Sequence, residues 1–89
     1  MKSPLIAIIV PTYNHEKFIG RCLRSLINQN IARDKYEIIV IDDGSTDKTR
    51  SALNVFMNDI VYIRNEQNMG LPAAINKGIA STRSPYVVR

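Results

Sequence analysis

The sequence predicts an α/β fold, a Rossmann-like three-layer half-sheet in the order β-α-β-α-β-α-β with mostly parallel strands. Three observations carry this. Two continuous apolar runs, Ile6 to Val10 and Ile38 to Ile41, have the length and β-branched content of strands buried on both faces. Each run stops at a polar cluster, Pro11-Thr12-Tyr13-Asn14 and Asp42-Asp43-Gly44-Ser45, and parallel sheets collect their ligands beyond the carboxyl ends of the strands. Between the runs the apolar residues recur at helical spacing, which makes a strand-helix-strand unit of about 37 residues with the usual right-handed crossover.

The first strand spans Leu5 to Val10, and Pro11, which has no N–H to give a ladder, is expected to end it. Phe18, Cys22 and Leu26 recur every four residues with Ile19, Leu23 and Ile27 beside them. That spacing predicts one wide apolar helix face from about His15 to Gln29, with Glu16 at the positive end of the helix dipole. Residues 30–35 form a polar connection into a second strand, Tyr36 to Ile41. After the acid-rich turn Asp42 to Asp47, Ser45 or Thr46 is placed to cap a second helix that turns Leu53 and Phe56 inward. Ile60 to Ile63 reads as a short third strand. Pro72 fits the first turn of a third helix, whose apolar side carries Leu71, Ile75, Gly78 and Ile79. Tyr86 to Val88 begins a fourth strand that stops at Arg89.

The chain of 89 residues is one domain at most, and residues 1–89 read as a single partial domain. With 45% hydrophobic and 22% charged residues, disorder is excluded as a class. The net charge of +4 lies mostly in the second half, without a dense basic run or alternating aromatic and basic residues, so no nucleic-acid partner is expected. A single cysteine, Cys22, can form no internal disulfide and predicts a reducing, cytoplasmic setting. Its apolar neighbours predict a small core residue rather than a reactive thiol. Lys2 is followed by a short apolar stretch that ends at a turn, without a cleavage pattern, so no signal peptide is read. No segment reaches the ~20 apolar residues of a membrane span.

Two adjacent carboxylates at a strand end, Asp42 and Asp43, need compensation by a cation, a donor or water. They fit a turn that caps backbone N–H groups, a pair in which one carboxylate accepts from the base or sugar of a nucleotide, or a site for Mg²⁺ or Mn²⁺. Pro11-Thr12-Tyr13-Asn14 opens at the same sheet edge. Tyr13 offers a ring to stack on a base, and Thr12 and Asn14 offer polar contacts. No glycine-rich phosphate loop follows the first strand, which argues against a dinucleotide dehydrogenase and a P-loop NTPase and leaves a nucleotide to enter base first. A flavodoxin-type phosphoacceptor domain would carry further acid at a later strand end, where Ile63-Arg64-Asn65 supplies a base and an amide.

Ile9-Val10-Pro11-Thr12-Tyr13-Asn14, Ile41-Asp42-Asp43-Gly44-Ser45-Thr46-Asp47, Asn68-Met69-Gly70 and Asn76-Lys77-Gly78-Ile79 together resemble, in order and spacing, the amino-terminal half of family 2 glycosyltransferases. The resemblance runs from Leu5 to Arg89 and implies the nucleotide-sugar-binding half of a GT-A fold. It implies that Pro11, Thr12 and Tyr13 line a uridine pocket and that Asp43, with Asp42, meets the uracil edge. Glu16 matches a frequent acid of the family, and Asn68, Gly70 and Asn76 fall on a stretch that passes close to the nucleotide sugar. The chain departs from the pattern at Pro72 and at Ile75, where many relatives carry Arg. The implied parent is an inverting enzyme that transfers a sugar from a UDP-sugar to an acceptor saccharide or lipid-linked saccharide at the cytoplasmic face of a membrane. Such a parent uses a divalent cation, Mg²⁺ or Mn²⁺, at an Asp-x-Asp motif beyond this stretch, so the chain itself is expected to hold neither metal nor catalytic base. The alternative is a stand-alone nucleotide-binding or interaction module. An uncovered last strand would also leave an apolar edge open to self-association.

Overall fold

The computed structural model describes residues 4–29 and 31–88; the leader reading at Lys2, one residue of the 30–35 connection and the strand end at Arg89 lie outside them. Among the described residues four strands and three helices alternate: β1 (Ile6–Thr12), α1 (Ile19–Ile27), β2 (Tyr36–Asp42), α2 (Thr49–Ala52), β3 (Val61–Arg64), α3 (Leu71–Ala80) and β4 (Tyr86–Val88). Single 3-10 turns stand at Arg33–Lys35 and Asn54–Phe56. The strands form one sheet in the order β3-β2-β1-β4, and all three pairings are parallel. β1 and β2 pair from Ile6 opposite Tyr36 to Thr12 opposite Asp42, so the two polar clusters emerge level with each other. From β1 the chain builds outward through β2 and β3 and then returns to place β4 on the other flank. This is the switch of direction beside which open sheets form ligand crevices.

Strand alternation divides the core. Tyr36, Ile38 and Val40 of β2 pack with Ile19, Leu23, Leu53 and Phe56 beneath α1 and α2, while Ile39 and Ile41 pack with Ala7, Ile9 and Ala74 beneath α3. At about 1.5–3 kcal/mol for each large apolar side chain fully buried, the first face supplies the larger hydrophobic term. The second face is built for closeness. A Cβ at Gly78 would lie 2.7 Å from Ile9 Cγ2, so a bare glycine lets α3 settle onto β1. Among the described residues no helix is long and apolar enough to cross a membrane.

Several boundaries differ from the sequence expectation. β1 continues through Pro11 to Thr12. The Thr12 carbonyl accepts the Asp43 N–H at 2.9 Å, so by alternation Pro11 turns its donor-less nitrogen to the other flank, past the last residue that β4 pairs, Ile8. α1 begins at Ile19 rather than near His15, because the N–H groups of residues 14–16 are tied to Ser45, Thr49 and Asp47 instead of to a helical turn. Neither Ser45 nor Thr46 caps α2: Ser45 Oγ accepts the Asn14 N–H, and the helix starts after Lys48 without a side-chain cap. The second helix is only one turn of α-helix and a 3-10 turn, yet it turns Leu53 and Phe56 inward as expected.

Two apolar faces also differ. α3 buries Ala74 and Gly78, and the larger Leu71 and Ile79 stay exposed because the closest approach to β1 admits only small side chains. On α1, Ile19 and Leu23 are buried whereas Phe18, 66% exposed, and Cys22 face outward, so Cys22 is not a core residue. Tyr86, Val87 and Val88 of β4 are exposed as well.

Candidate functional site

Two loops meet beyond the ends of β1 and β2, stitched by their own polar groups. Asn14 holds a left-handed backbone, φ 53°, which asparagine tolerates better than most residues. From there its N–H donates to Ser45 Oγ at 2.9 Å, and its side-chain Oδ1 accepts the N–H groups of Thr46 and Asp47 at 2.8 and 3.2 Å. The His15 N–H donates to the buried Thr49 Oγ1 at 2.9 Å, and that hydroxyl donates to Asp47 Oδ1. Burial pushes the Asp47 carboxyl up, but hydrogen bonds from Thr49 and from the Glu16 N–H outweigh it and leave it below the usual carboxylate range. The strand end thus carries a fixed first loop.

Asp42 and Asp43 are neighbours in sequence but point to opposite faces of the sheet. Asp42 is fully buried on the α1/α2 side. Its Oδ2 accepts the Tyr62 hydroxyl at 2.8 Å and Arg64 Nη1 at 3.0 Å, and its Oδ1 accepts the Ser45 N–H at 2.9 Å. Burial and the bond to Asp42 push the Tyr62 phenol up, so it remains the donor. Arg64 Nη2 also donates to the Ser45 carbonyl at 3.1 Å. This carboxylate is closed off from solvent and meets protein donors alone.

Asp43, 4% exposed, turns to the α3 side. Its Oδ1 accepts Asn65 Nδ2 at 2.8 Å and the Met69 N–H at 2.9 Å, and its Oδ2 accepts the Gly70 N–H at 2.9 Å. Lys77 Nζ donates to the other end of the Asn65 amide, Oδ1, at 2.6 Å. Burial pushes the Asp43 carboxyl up, but the bonds from Asn65, Met69 and Gly70 and the charge of Lys77 prevail and hold it below the usual range. Gly44 permits this arrangement: its φ is 79°, and a Cβ there would lie 2.8 Å from the Asn68 nitrogen.

A cleft of about 150 Å³ opens between the β1 end and the start of α3, lined by Pro11, Thr12, Tyr13, His15, Asp43, Asn68, Gly70, Leu71 and Ala74. Of the residues singled out in the sequence, Pro11, Thr12, Tyr13, Asp43, Asn68 and Gly70 come together here. Asp42 does not, being turned to the opposite face. Glu16 is exposed outside the cleft and meets Asp47 through its backbone N–H at 3.3 Å, and Asn76 is exposed on α3 away from the lining. His15, Leu71 and Ala74 were missed. His15 directly follows the β1 cluster, and its Nδ1, 3.0 Å from Thr12 Oγ1, seats the ring at the rim of the cleft. Leu71 and Ala74 sit three apart at the helix start, a spacing that places both on one side.

Chemically the cleft offers an apolar floor, an aromatic ring at Tyr13 and an ionised acceptor at Asp43. The described residues form no cluster of three or more His, Cys, Asp or Glu suited to a metal ion. With Asp42 engaged on three sides and Asp43 holding three donors, this strand end does not fit a divalent-cation site.

The sequence profile described as "Glycosyl transferase family 2" matches residues 7–89. A poly(ribitol-phosphate) beta-glucosyltransferase of Bacillus spizizenii is 38% identical over 87 residues, 93% of this chain and 14% of that protein. Residues 1–349 of S. aureus TarS in complex with UDP-GlcNAc superpose with a TM-score of 0.84 at 33% identity, covering 92% of this chain and 24% of that one. The mannosyltransferase PcManGT from Pyrobaculum calidifontis, in complex with GDP-Man and Mn²⁺, gives a TM-score of 0.81 at 30% identity, covering 92% and 25%. The chain therefore spans a quarter or less of these relatives.

Proposed function

Because the chain belongs to glycosyl transferase family 2, we propose that its cleft receives the base of a nucleotide-sugar donor, and that a UDP-sugar is that donor. The observation that carries this is Asp43, a buried carboxylate held ionised in the wall of a cleft that Tyr13 also lines. A carboxylate only accepts, so it matches a base edge that donates, such as the imide N–H of uracil or the lactam N–H of guanine, and mismatches cytosine, whose equivalent nitrogen accepts. The complexes of TarS with UDP-GlcNAc and of PcManGT with GDP-Man both contain a base with a ring N–H donor, which supports this reading. At about 150 Å³ the cleft is smaller than the ~300–1,000 Å³ of sites that take a whole ligand, and a single pyrimidine ring suits it better than a purine.

On this reading the nucleotide stacks its base on Tyr13, sets the imide N–H against Asp43, and leaves its diphosphate and sugar outside the cleft. Inverting transfer is a direct displacement at the anomeric carbon by an acceptor hydroxyl, which needs a base to take the proton. We read the chain as the donor-binding part of such an enzyme, binding without turnover by itself.

Titration calorimetry with UDP tests this. The Asp43→Ala variant should bind UDP at least about ten-fold more weakly than the unaltered chain, a difference of about 1.4 kcal/mol, with or without Mn²⁺. Binding unchanged by the substitution, or seen only with Mn²⁺, overturns it.

A further inference from the structure

Asp43 is the acceptor, but its own orientation is set from two residues further out. A carboxylate offers about four acceptor positions. Oδ1 takes two donors, Asn65 Nδ2 and the Met69 N–H, and Oδ2 takes one, the Gly70 N–H, which leaves a single position on Oδ2. That count holds only while Asn65 presents its NH₂ and not its carbonyl oxygen to Asp43. The two ends of an amide have nearly the same shape, so the environment must choose between them. Lys77 chooses. Its ammonium is a pure donor, and at 2.6 Å from Asn65 Oδ1 it tolerates only the oxygen, which turns the NH₂ inward. Asn65 is 7% exposed, so a flipped amide would press its oxygen against the carboxylate with little water to relieve it.

We infer that Lys77 and Asn65 are positioning residues for base choice: Lys77 fixes the Asn65 amide, and Asn65 leaves Asp43 one acceptor position for an imide N–H. This rests on the base-reading proposed above and deepens it. The relay joins three elements, from α3 through the residue after β3 to the residue after β2. It also gives a task to a lysine whose body is exposed on α3 and which touches neither the cleft nor the core. Without Lys77 the amide keeps only the carboxylate to hold it, its bond to Asp43 loosens, and Asp43 gains a spare position for water or for a protonated base edge. Affinity for the imide base then falls while affinity for a non-imide base does not.

The test compares UDP with CDP by calorimetry on the whole chain. The unaltered chain should prefer UDP by at least about ten-fold. Lys77→Met, at an exposed position, should melt within about 2 °C of it and hold the preference to about three-fold or less, and Lys77→Arg should restore most of it. A variant that loses UDP and CDP in equal proportion, or keeps the full preference, overturns the relay, because loss of structure alone scales both nucleotides together. A preference that stays collapsed in Lys77→Arg overturns it as well. No preference in the unaltered chain overturns the base reading itself, which separates the two failures.

Discussion

The two faces of the sheet end in the same residue type and use it differently. On the α1/α2 face, β2 finishes with Asp42, sealed by Tyr62, Arg64 and the Ser45 N–H above a core of large side chains. The α3 face is packed with small residues, Ala7, Ala74 and Gly78, and at its end the next residue, Asp43, finds backbone N–H groups for most of its partners. Large side chains give the first face cohesion. Small ones give the second face proximity, and proximity brings α3 and its leading loop to the carboxylate.

The difference breaks most visibly at Asp42. Asp42→Ala strips three partners at once and leaves Arg64 half-exposed and unpaired, which should cost about 2–4 kcal/mol. At about 4–8 °C per kcal/mol for a domain of this size, the melting temperature should fall by about 10 °C or more. A melt that barely moves would mean that this face does not depend on its aspartate. Next in size is Gly78→Ala, whose new methyl group meets Ile9 and should cost about 1–3 kcal/mol. Combined with Ile9→Val, the loss should be smaller than the two separate losses summed; strict additivity in denaturant melts would place the close approach elsewhere.

The smallest effect lies in acid. The folded-state pKa of Asp43 is depressed, so its contribution to stability is full above the unfolded-chain value and is lost as pH falls through the depressed one. Asp47 acts in the same direction and window. Denaturant melts taken from about pH 5 downward should therefore show a steeper decline for the unaltered chain than for Asp43→Asn. Equal slopes would remove Asp43 from the acid transition.

Element order and sheet direction were legible in the sequence because they rest on periodicity, as in the unbroken run Ile38 to Ile41 and the helical spacing of Ile19, Leu23 and Ile27. Boundaries were less so. His15 looks helical by spacing, but its N–H is claimed by Thr49, 34 residues later. Pro11 looks like a strand end until one knows which flank its nitrogen faces. Of the candidate site, the lining from Pro11 to Tyr13 and at Asp43 follows from strand ends alone, while Asn65 and Lys77 act through contacts 22 and 12 residues apart that no local pattern announces. Asp42 was grouped with Asp43 because adjacency in the chain resembles adjacency in space. In a strand it means the reverse.

The strand order also sets a timetable. β1, at the centre, gains one neighbour early, from β2, and its other neighbour only from β4, some 80 residues along the chain. A ribosome adding about 5–20 residues per second takes on the order of 1–5 s to pass from the end of β3 to the end of β4. For the first two thirds of that interval, until α3 is complete at Ala80, Ile9, Ile39 and Ile41 await the helix that will cover them. A nascent chain would hold its cohesive face first and acquire its ligand-facing one last, and in those seconds the bare isoleucines are the surface a chaperone or an aggregate would find.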